Sequence, residues 1–355
     1  MSDLHLGSRG GIDVLRRVGP LERLCAAVRE VERLVLLGDV LELRHGPLRE
    51  ALTAAEPVLR ALGEALPEGA EVLIVAGNHD HELLAPWLER RGMGAVPAPL
   101  GLSSEVDWQA GEPLALVAGC LAPARVRALY PGVWLRPDVY ATHGHYGDLH
   151  TTVPMFERLG AGVMARIAGR RDGGPASAED YEAVLGPMYA WIHALAQGAG
   201  VTVRGSSHAP SSRAWRALNG GGHTRRRRAR AAAMRAGLLA GVAVLDRAGL
   251  GPLRADISGP ELRRAGLRAC AQVLERLDVR ADWVLFGHTH RAGPLPGDER
   301  SEWLGPGGAR LLNSGCWVHE RSFLGASPAT SPYRPGFAVR VAQDGEPAVV
   351  NLLDP

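Results

Sequence analysis

Residues 34–39 read Leu-Val-Leu-Leu-Gly-Asp, and residues 72–78 read Val-Leu-Ile-Val-Ala-Gly-Asn. Each stretch is a short apolar run that stops at a glycine followed by a polar residue, a pattern typical of a buried strand. The apolar runs at 139–142 and 283–286 repeat this pattern and lead into His143 and Gly287-His288. Four predicted strands therefore end in potential ligands.

The segments between the first strands have helical patterns, roughly at 21–31, 48–62 and 82–91. Strands that alternate with helices predict an α/β sheet fold. Ligands of open α/β sheets bind in the crevice beyond the carboxyl ends of the strands. We therefore expect the polar residues that follow these strands to gather in one cleft.

The central part of the chain has a different character. Helical patterns at 153–168, 178–196, 224–245 and 260–277 are separated by breaks rich in Gly, Ser or Asn, and strand patterns return at 283–286, 310–312, 337–341 and 348–352. The sequence predicts one α/β domain formed by residues 1–145 and 278–355. A mainly helical insertion or cap, residues 146–277, interrupts it.

Composition indicates an ordinary globular protein. The chain has 355 residues, of which 46% are hydrophobic and 22% charged, and its formal net charge of +2 does not point to nucleic acid. No run of eighteen uncharged apolar residues predicts a membrane span. No basic stretch followed by an apolar run precedes Asp3, so we expect a cytoplasmic protein. The four cysteines lack close spacing, which favours reduced thiols over a zinc ribbon.

Potential metal ligands cluster in five short motifs. They are Asp3-Leu4-His5, Gly38-Asp39, Gly77-Asn78-His79-Asp80, Thr142-His143-Gly144-His145 and Gly287-His288-Thr289-His290. Carboxylate, amide oxygen and imidazole suit Mn²⁺, Fe or Zn²⁺. Because strand side chains alternate, we expect an Asp-x-His or His-x-His pair at a strand end to direct both side chains to the same side.

In this order, the five motifs resemble those of the calcineurin-like metallophosphoesterase superfamily, namely D-x-H, G-D, G-N-H-D/E, a lone His and G-H-x-H. The resemblance covers residues 1–145 and 278–320 and leaves the central insertion unassigned. It implies a metallophosphoesterase-type αββα sandwich that hydrolyses a phosphate ester, with a hydroxide held between two divalent metal ions.

The resemblance also implies a role for each residue of the site. One metal is expected at Asp3, His5 and His290, and the other at Asn78, His143 and His288. Asp39 bridges them. His79 is expected to protonate the leaving oxygen, with Asp80 orienting its imidazole.

Two further polar residues have weaker assignments from the sequence. His145 is either a substrate-binding residue that contacts the phosphate or an exposed loop histidine, and both interpretations stay open. Asn313, in a strand-like segment after the last motif, is expected to be structural.

The N-terminal motif departs from the family pattern. The family has a full strand before Asp-x-His, whereas only Met1 and Ser2 precede Asp3 here. We expect a truncated gene model or a late start codon, and a poorly anchored Asp3.

The central insertion should decide the substrate, because caps over metal clefts set access. A helical insertion after the lone His, and the segment Gly38-Asp39-Val40-Leu41-Glu42, are similar to those of UDP-2,3-diacylglucosamine pyrophosphatases. This similarity favours a phosphodiester or pyrophosphate substrate.

The arginines at 225–228 and Arg230 precede an apolar run at 231–245. This combination fits peripheral contact with an anionic membrane or lipid, or a solvated helix start before a buried helix. Two alternative functions stay open. One is a nuclease-type phosphodiesterase that binds nucleic acid through these arginines, although the run lacks interleaved aromatic residues. The other is a non-catalytic interaction protein on a phosphoesterase fold.

Overall fold

The computed structural model describes residues 1–93, 98–152, 174–198, 258–325 and 327–354. Within these ranges the protein is a mixed α/β structure built around a seven-stranded sheet and a two-stranded sheet. The strands of the large sheet are β1 (Arg33–Leu37), β2 (Glu71–Val75), β3 (Ser103–Val106), β4 (Arg125–Arg136), β5 (Val139–Thr142), β6 (Trp283–Phe286) and β7 (Arg310–Asn313). The small sheet pairs β8 (Phe337–Arg340) with β9 (Ala348–Asn351).

The large sheet consists of two parallel groups of strands joined by β4. Strands β1, β2 and the first part of β4 run parallel, as do β5, β6 and β7. Strand β4 pairs antiparallel with β5, and β3 pairs antiparallel with β4. The two parallel groups therefore run in opposite directions.

The pairing along β4 brings the carboxyl ends of the two groups together. The last residue of β2, Val75, pairs with Leu129, and the last residue of β5, Thr142, pairs with Gly132. Both strands thus end at the middle of β4, approaching from opposite sides. A glycine is required at position 132, because a Cβ there would lie 2.3 Å from the Tyr140 hydroxyl.

Helices cover the strands. They are α1 (Val18–Val28), α2 (Leu48–Ala65), α3 (Ala85–Gly92), α4 (Pro113–Cys120), α5 (Ala178–Gly198), α6 (Gly259–Arg276) and the single turn α7 (Arg321–Leu324). Short 3-10 turns occur at Val14–Arg16, His81–Leu84, His145–Leu149, Arg300–Trp303, Pro306–Gly308 and Pro328–Thr330. None of the helices in the described ranges has the length and apolar character needed to cross a bilayer.

The buried apolar side chains form three clusters. The largest contains residues of α1, α2, α4 and α5 together with one face of β1 and β2. The second joins α6 to one face of β5, β6 and β7. The third lies among the strands themselves and combines β1 and β2 residues with β5, β6 and β7 residues, including Leu37, Val75, Val139 and Leu285. The two parallel groups therefore share an apolar core.

Most elements expected from the sequence are present in the structure. Strands β1, β2 and β5 to β9 lie within about one residue of their predicted positions, and α2, α5 and α6 lie where helical patterns are seen. Strands β3 and β4 and helix α4 were not predicted. The division into a domain and an insertion stays a prediction, although α6, inside the predicted insertion, packs on the sheet.

Several predictions concern residues outside the described ranges. The helical patterns at 153–168 and 224–245 and the arginines at 225–228 and 230 belong to this group. The four cysteines lie in the described ranges and none is in a disulfide; Cys270 and Cys316 are buried, whereas Cys25 and Cys120 are half-buried.

Candidate metal centre

Five of the predicted metal ligands have an unusual backbone conformation. Asp3, His5, Asp39, His288 and His290 have φ values of 55°, 45°, 54°, 66° and 59°. Such left-handed conformations are uncommon for residues other than glycine and concentrate at functional sites. The side chains of each Asp-x-His or His-x-His pair are therefore directed by loop geometry, and not by strand alternation as expected from the sequence.

The N-terminal motif is held by β1 and the loop that follows it. Leu37 N donates to Met1 O at 2.8 Å, Asp3 N to Gly38 O at 3.0 Å, and His5 N to Asp39 O at 2.9 Å. Asp3 is fully buried. The expectation that Asp3 is poorly anchored is therefore wrong, because these backbone hydrogen bonds fix the whole motif.

A first group of ligand atoms comes from Asp3, His5 and His290, all within 4.8 Å of one another. The two Nε2 atoms of His5 and His290 are 3.0 Å apart, and His290 Nε2 lies 3.3 Å from Asp3 Oδ1. Among the described residues, Asp3 Oδ1 is buried without a hydrogen-bond partner. A buried carboxylate oxygen between two imidazoles fits a divalent cation.

A second group of ligand atoms comes from Asp39, His143 and His288, also within 4.8 Å of one another. Asn78 Oδ1 adds a fourth atom, 3.2 Å from His143 Nε2 and 3.1 Å from His288 Nδ1. The carboxylate of Asp39 lies between the two groups, since its Oδ2 is 3.3 Å from His143 Nε2 and 3.7 Å from His5 Nε2. The two groups therefore share Asp39.

Three of the histidines use their other ring nitrogen to bind a partner outside the groups. His143 Nδ1 lies 2.9 Å from the Leu37 carbonyl, His5 Nδ1 lies 3.0 Å from Glu42, and His288 Nε2 lies 2.7 Å from Asp148. The Leu37 carbonyl can only accept, so Nδ1 of His143 carries a hydrogen and Nε2 is the nitrogen that faces Asp39. Such outer partners are typical of metal-ligating histidines.

The ionisation of these residues reflects the concentration of charge. Burial alone would raise the pKa of Asp39, but His143, His79 and His5 lower this pKa well below its usual value. Burial alone would lower the pKa of His5, but Glu42 and Asp39 raise it to about 9. Asp39 likewise raises the pKa of His143 to about 10 against the effect of burial. Without a metal, protonated imidazoles supply the positive charge that the buried carboxylates require.

The proposed general acid, His79, lies beside these groups, with its Nε2 4.0 Å from Asp39 Oδ2. Its side chain is 22% exposed, whereas that of Asp39 is 1% exposed. Arg44 Nη1 lies 3.3 Å from His79 Nε2. Burial and the Arg44 charge lower the pKa of His79 to about 4.

The orientation of His79 differs from the sequence-based expectation. Its Nδ1 lies 2.9 Å from Glu42 Oε2, so Glu42 orients the imidazole. Asp80 instead accepts hydrogen bonds from backbone N–H groups, chiefly those of Gly77 at 2.7 Å and Val40 at 2.6 Å. The prediction that Asp80 orients His79 is therefore corrected. Asp80 holds the loops after β1 and β2 together, because its carboxylate accepts from both.

His145 is neither an exposed loop histidine nor open to the cleft. It is 1% exposed, and its Nε2 lies 3.0 Å from the Tyr130 hydroxyl. Its ring lies 5.5 Å from that of His143. Burial and the neighbouring His143 hold the pKa of His145 well below its ordinary value. His145 thus packs against the predicted ligand His143 on its buried side.

Asn313 has a structural position, as expected. Its Nδ2 donates to Gly287 O at 2.9 Å and to Thr289 Oγ1 at 2.9 Å, and its Oδ1 accepts from Gly315 N at 2.9 Å. These hydrogen bonds hold the loop that carries His288 and His290.

Two residues that contact histidines of the centre, Glu42 and Asp148, were not predicted from the sequence. Both are buried carboxylates within 3.0 Å of histidines of the centre. Glu42 lies three residues after Asp39, which was a usable signal for it. Asp148 lies five residues after His143, and the sequence held no indication of its role beyond the acidic side chain.

Comparison with protein-family models, with curated proteins and with solved structures finds no match for this chain.

Proposed function

We propose that this protein is a dinuclear metal-dependent phosphoesterase that hydrolyses a phosphodiester or pyrophosphate. The observation that carries this proposal is the position of Asp39 between two groups of ligand atoms. A shared carboxylate suits two cations held close together, as in enzymes that cleave phosphate esters.

In this proposal Asp3, His5 and His290 hold one metal, Asn78, His143 and His288 hold the other, and Asp39 bridges them. The donor set of imidazoles, carboxylates and one amide oxygen suits Mn²⁺, Fe or Zn²⁺. Such a pair of ions supplies Lewis-acid stabilisation of the phosphoryl group and lowers the pKa of water.

His79 is the proposed acid that protonates the leaving oxygen. Glu42 accepts from Nδ1 of His79, so Nε2 is the nitrogen that can supply a proton to substrate. Because the pKa of His79 is about 4 in the metal-free protein, the anionic substrate has to raise this pKa for Nε2 to carry that proton. The partial exposure of the imidazole leaves it accessible from the cleft. A positioned histidine of this kind contributes roughly 10²–10⁴-fold to rate.

The proposed fold class is a metallophosphoesterase-type αββα sandwich. Its support is the order of the three apolar clusters, with helices on the outer face of each parallel group and a shared core between the groups. In such a fold the ligand-bearing loops of both groups meet at one edge.

The test is hydrolysis of bis-p-nitrophenyl phosphate and p-nitrophenyl phosphate by metal-stripped protein with and without added Mn²⁺. Asp39→Asn removes the bridging charge and suits the left-handed backbone, because asparagine tolerates φ near 54°. Asp278→Asn is a matched control, since Asp278 has a φ of 50° and an exposed side chain paired with Arg280.

We expect Mn²⁺-dependent hydrolysis of the diester by the wild type and by Asp278→Asn, with loss of at least about 100-fold in Asp39→Asn. Preference for the monoester would redirect the proposal to phosphatase substrates. Bound Mn²⁺ without hydrolysis of either compound would contradict the enzymatic function and favour a non-catalytic role.

A further inference from the structure

Helix α5 places an unpaired hydroxyl next to the metal centre. The side chain of Tyr189 is buried, with 3% exposure, and within the described ranges its Oη has no hydrogen-bond partner. Its ring centroid lies 5.1 Å from that of His81 and 5.7 Å from that of His145. Buried hydroxyls are nearly always satisfied by protein, water or ligand, so this unpaired hydroxyl points to a ligand.

Arg44 lies between the Tyr189 ring and the proposed acid, His79, and contacts both. The guanidinium carbon lies 5.8 Å from the centre of the Tyr189 ring, and Nη1 lies 3.3 Å from His79 Nε2. A guanidinium offers five N–H donors in a planar fork, which suits phosphate oxygens. The cation and the phenol are therefore adjacent, on the side of His79 that faces away from Glu42.

A second polar atom on the same helix is also unpaired. Nδ1 of His193, one helical turn after Tyr189, is buried without a partner in the part of the chain that the structure describes.

Burial and the carboxylate of Asp148 raise the pKa of Tyr189 well above its usual value. Tyr189 therefore stays protonated and is available as a hydrogen-bond donor.

We propose that Arg44 and Tyr189 form an anion subsite that binds a second phosphoryl group, located on the leaving group of the substrate. This inference rests on the proposed function and narrows its substrate from a phosphodiester or pyrophosphate to a pyrophosphate, which is a phosphoanhydride. His79 Nε2 is the atom that donates to the leaving oxygen, and Arg44 contacts that same atom. A group bonded directly to the leaving oxygen therefore meets Arg44. Of the two proposed substrate classes, phosphodiester and pyrophosphate, only the pyrophosphate carries anionic oxygens on that group.

The corresponding reaction is hydrolysis of a P–O–P linkage. The oxygen of water forms a new bond to the attacked phosphorus, one proton of that water passes to solvent, and the bond from that phosphorus to the bridging oxygen breaks. The bridging oxygen leaves with the second phosphoryl group and receives the proton from His79. The products are two phosphate monoesters, and no oxidant or further reactant is needed.

The experiment is calorimetric binding of methylenediphosphonate and of methylphosphonate to the Mn²⁺-loaded protein at fixed free Mn²⁺. The first probe carries two linked phosphoryl groups that cannot be hydrolysed, and the second carries one. The variants are Arg44→Gln and Tyr189→Phe. Tyr181→Phe is the matched control, because Tyr181 is a buried tyrosine of the same helix whose hydroxyl lies 2.6 Å from His150.

We expect the wild type and Tyr181→Phe to prefer the diphosphonate, and each subsite variant to lose about tenfold of that preference. Tyr189→Phe removes an unpaired buried hydroxyl, so its melting temperature should equal or exceed that of the wild type. It therefore remains informative if Arg44→Gln fails to fold.

An unchanged preference in folded Tyr189→Phe, or no preference in the wild type, would overturn the subsite. Turnover of bis-p-nitrophenyl phosphate by the same preparations reports on the proposed function separately. Turnover without diphosphonate preference would reject the subsite and leave the phosphoesterase proposal standing. Diphosphonate preference without turnover would support the subsite and reject the phosphoesterase proposal.

Discussion

At the residue scale, the carboxylate of Glu42 holds two imidazoles at once. It lies 3.0 Å from His5 Nδ1 and 2.9 Å from His79 Nδ1. Burial would raise the pKa of Glu42, but His79 and His5 lower it well below its usual value. One charged side chain therefore links a proposed metal ligand to the proposed acid.

Glu42→Gln should weaken both metal binding by His5 and the orientation of His79, because a neutral amide oxygen is a weaker acceptor than the carboxylate Oε2 that both imidazoles contact. We expect a loss of roughly 10- to 100-fold in kcat/KM and in Mn²⁺ affinity. Both are measured with bis-p-nitrophenyl phosphate and by Mn²⁺ titration. Glu261→Gln is the control, since Glu261 is a buried glutamate of α6 that pairs with Arg268. If Glu42→Gln matches the control in both measurements, the linking role is wrong.

Metal binding should release protons. In the metal-free protein the pKa of His5 is about 9 and that of His143 about 10, so both imidazoles are protonated at neutral pH. Only the neutral imidazole ligates a metal. The apparent affinity for Mn²⁺ should therefore rise as the pH increases from 6.5 to 8, because proton competition weakens.

Calorimetry in two buffers of different ionisation enthalpy measures this proton release at each pH. His145→Gln provides a comparison, since the pKa of His145 lies well below its usual value and this residue has no proton to release. Buffer-independent heats in the wild type would contradict the prediction.

At the scale of elements, the ends of β1, β2 and β5 are packed too tightly for additional atoms. A Cβ at Gly77 would lie 2.3 Å from Asp39 Oδ1 and 2.7 Å from His143 Cδ2. The loop after β2 therefore needs glycine at this position, so that Asn78 can approach the ligands supplied by the other two strands.

Gly77→Ala should displace Asp39 or His143 and reduce stability by roughly 1–3 kcal/mol, the usual cost of overpacking. Mn²⁺ affinity should fall with it. Thermal unfolding and Mn²⁺ titration measure the two effects. Gly119→Ala is the control, because a Cβ at Gly119 in α4 meets nothing within 4 Å. Its stability should stay the same or rise by up to about 1 kcal/mol. Equal behaviour of the two variants would refute the close-packing argument.

At the scale of the whole molecule, the centre joins distant parts of the chain. His288 N donates to Asp3 Oδ2 across a separation of 285 residues. The two parallel strand groups contribute separate ligands, Asp39 and Asn78 from one and His143 and His288 from the other. A metal ion would therefore bind at this centre only when the chain is fully folded.

Metal should consequently raise the melting temperature by mass action. At a free Mn²⁺ concentration of about 100 times Kd, the expected stabilisation is about 2.7 kcal/mol per site. Differential scanning fluorimetry with Mn²⁺, and after a chelator, measures it. Asp39→Asn should lose most of the shift and Asp278→Asn should keep it. A wild-type melting temperature that is unchanged by Mn²⁺ and by the chelator would rule out a preformed metal centre.

The sequence alone was sufficient for seven of the strands and for the positions of the candidate ligands. Short apolar runs that end in glycine and a polar residue are local patterns, and β1, β2, β5 and β6 lie where those patterns predict. The five motifs predicted a metal site, because each of them places candidate ligands within a few residues of sequence. Asn313 was also interpreted as structural from its position after the last motif.

The tertiary structure decided what depends on contacts between distant segments. Strand β4 has no clear alternating pattern and contains Pro131 and Gly132, so it was not predicted. Its parallel pairing with β2 and antiparallel pairing with β5 nevertheless bring the carboxyl ends of the two strand groups together. The roles of Glu42, Asp80 and Asp148 depend on which nitrogen faces which carboxylate across loops that are distant in sequence. Backbone conformation at Asp3, Asp39 and His288 likewise follows from packing. Local patterns carry no information on such long-range contacts, so they emerge only once the chain is folded.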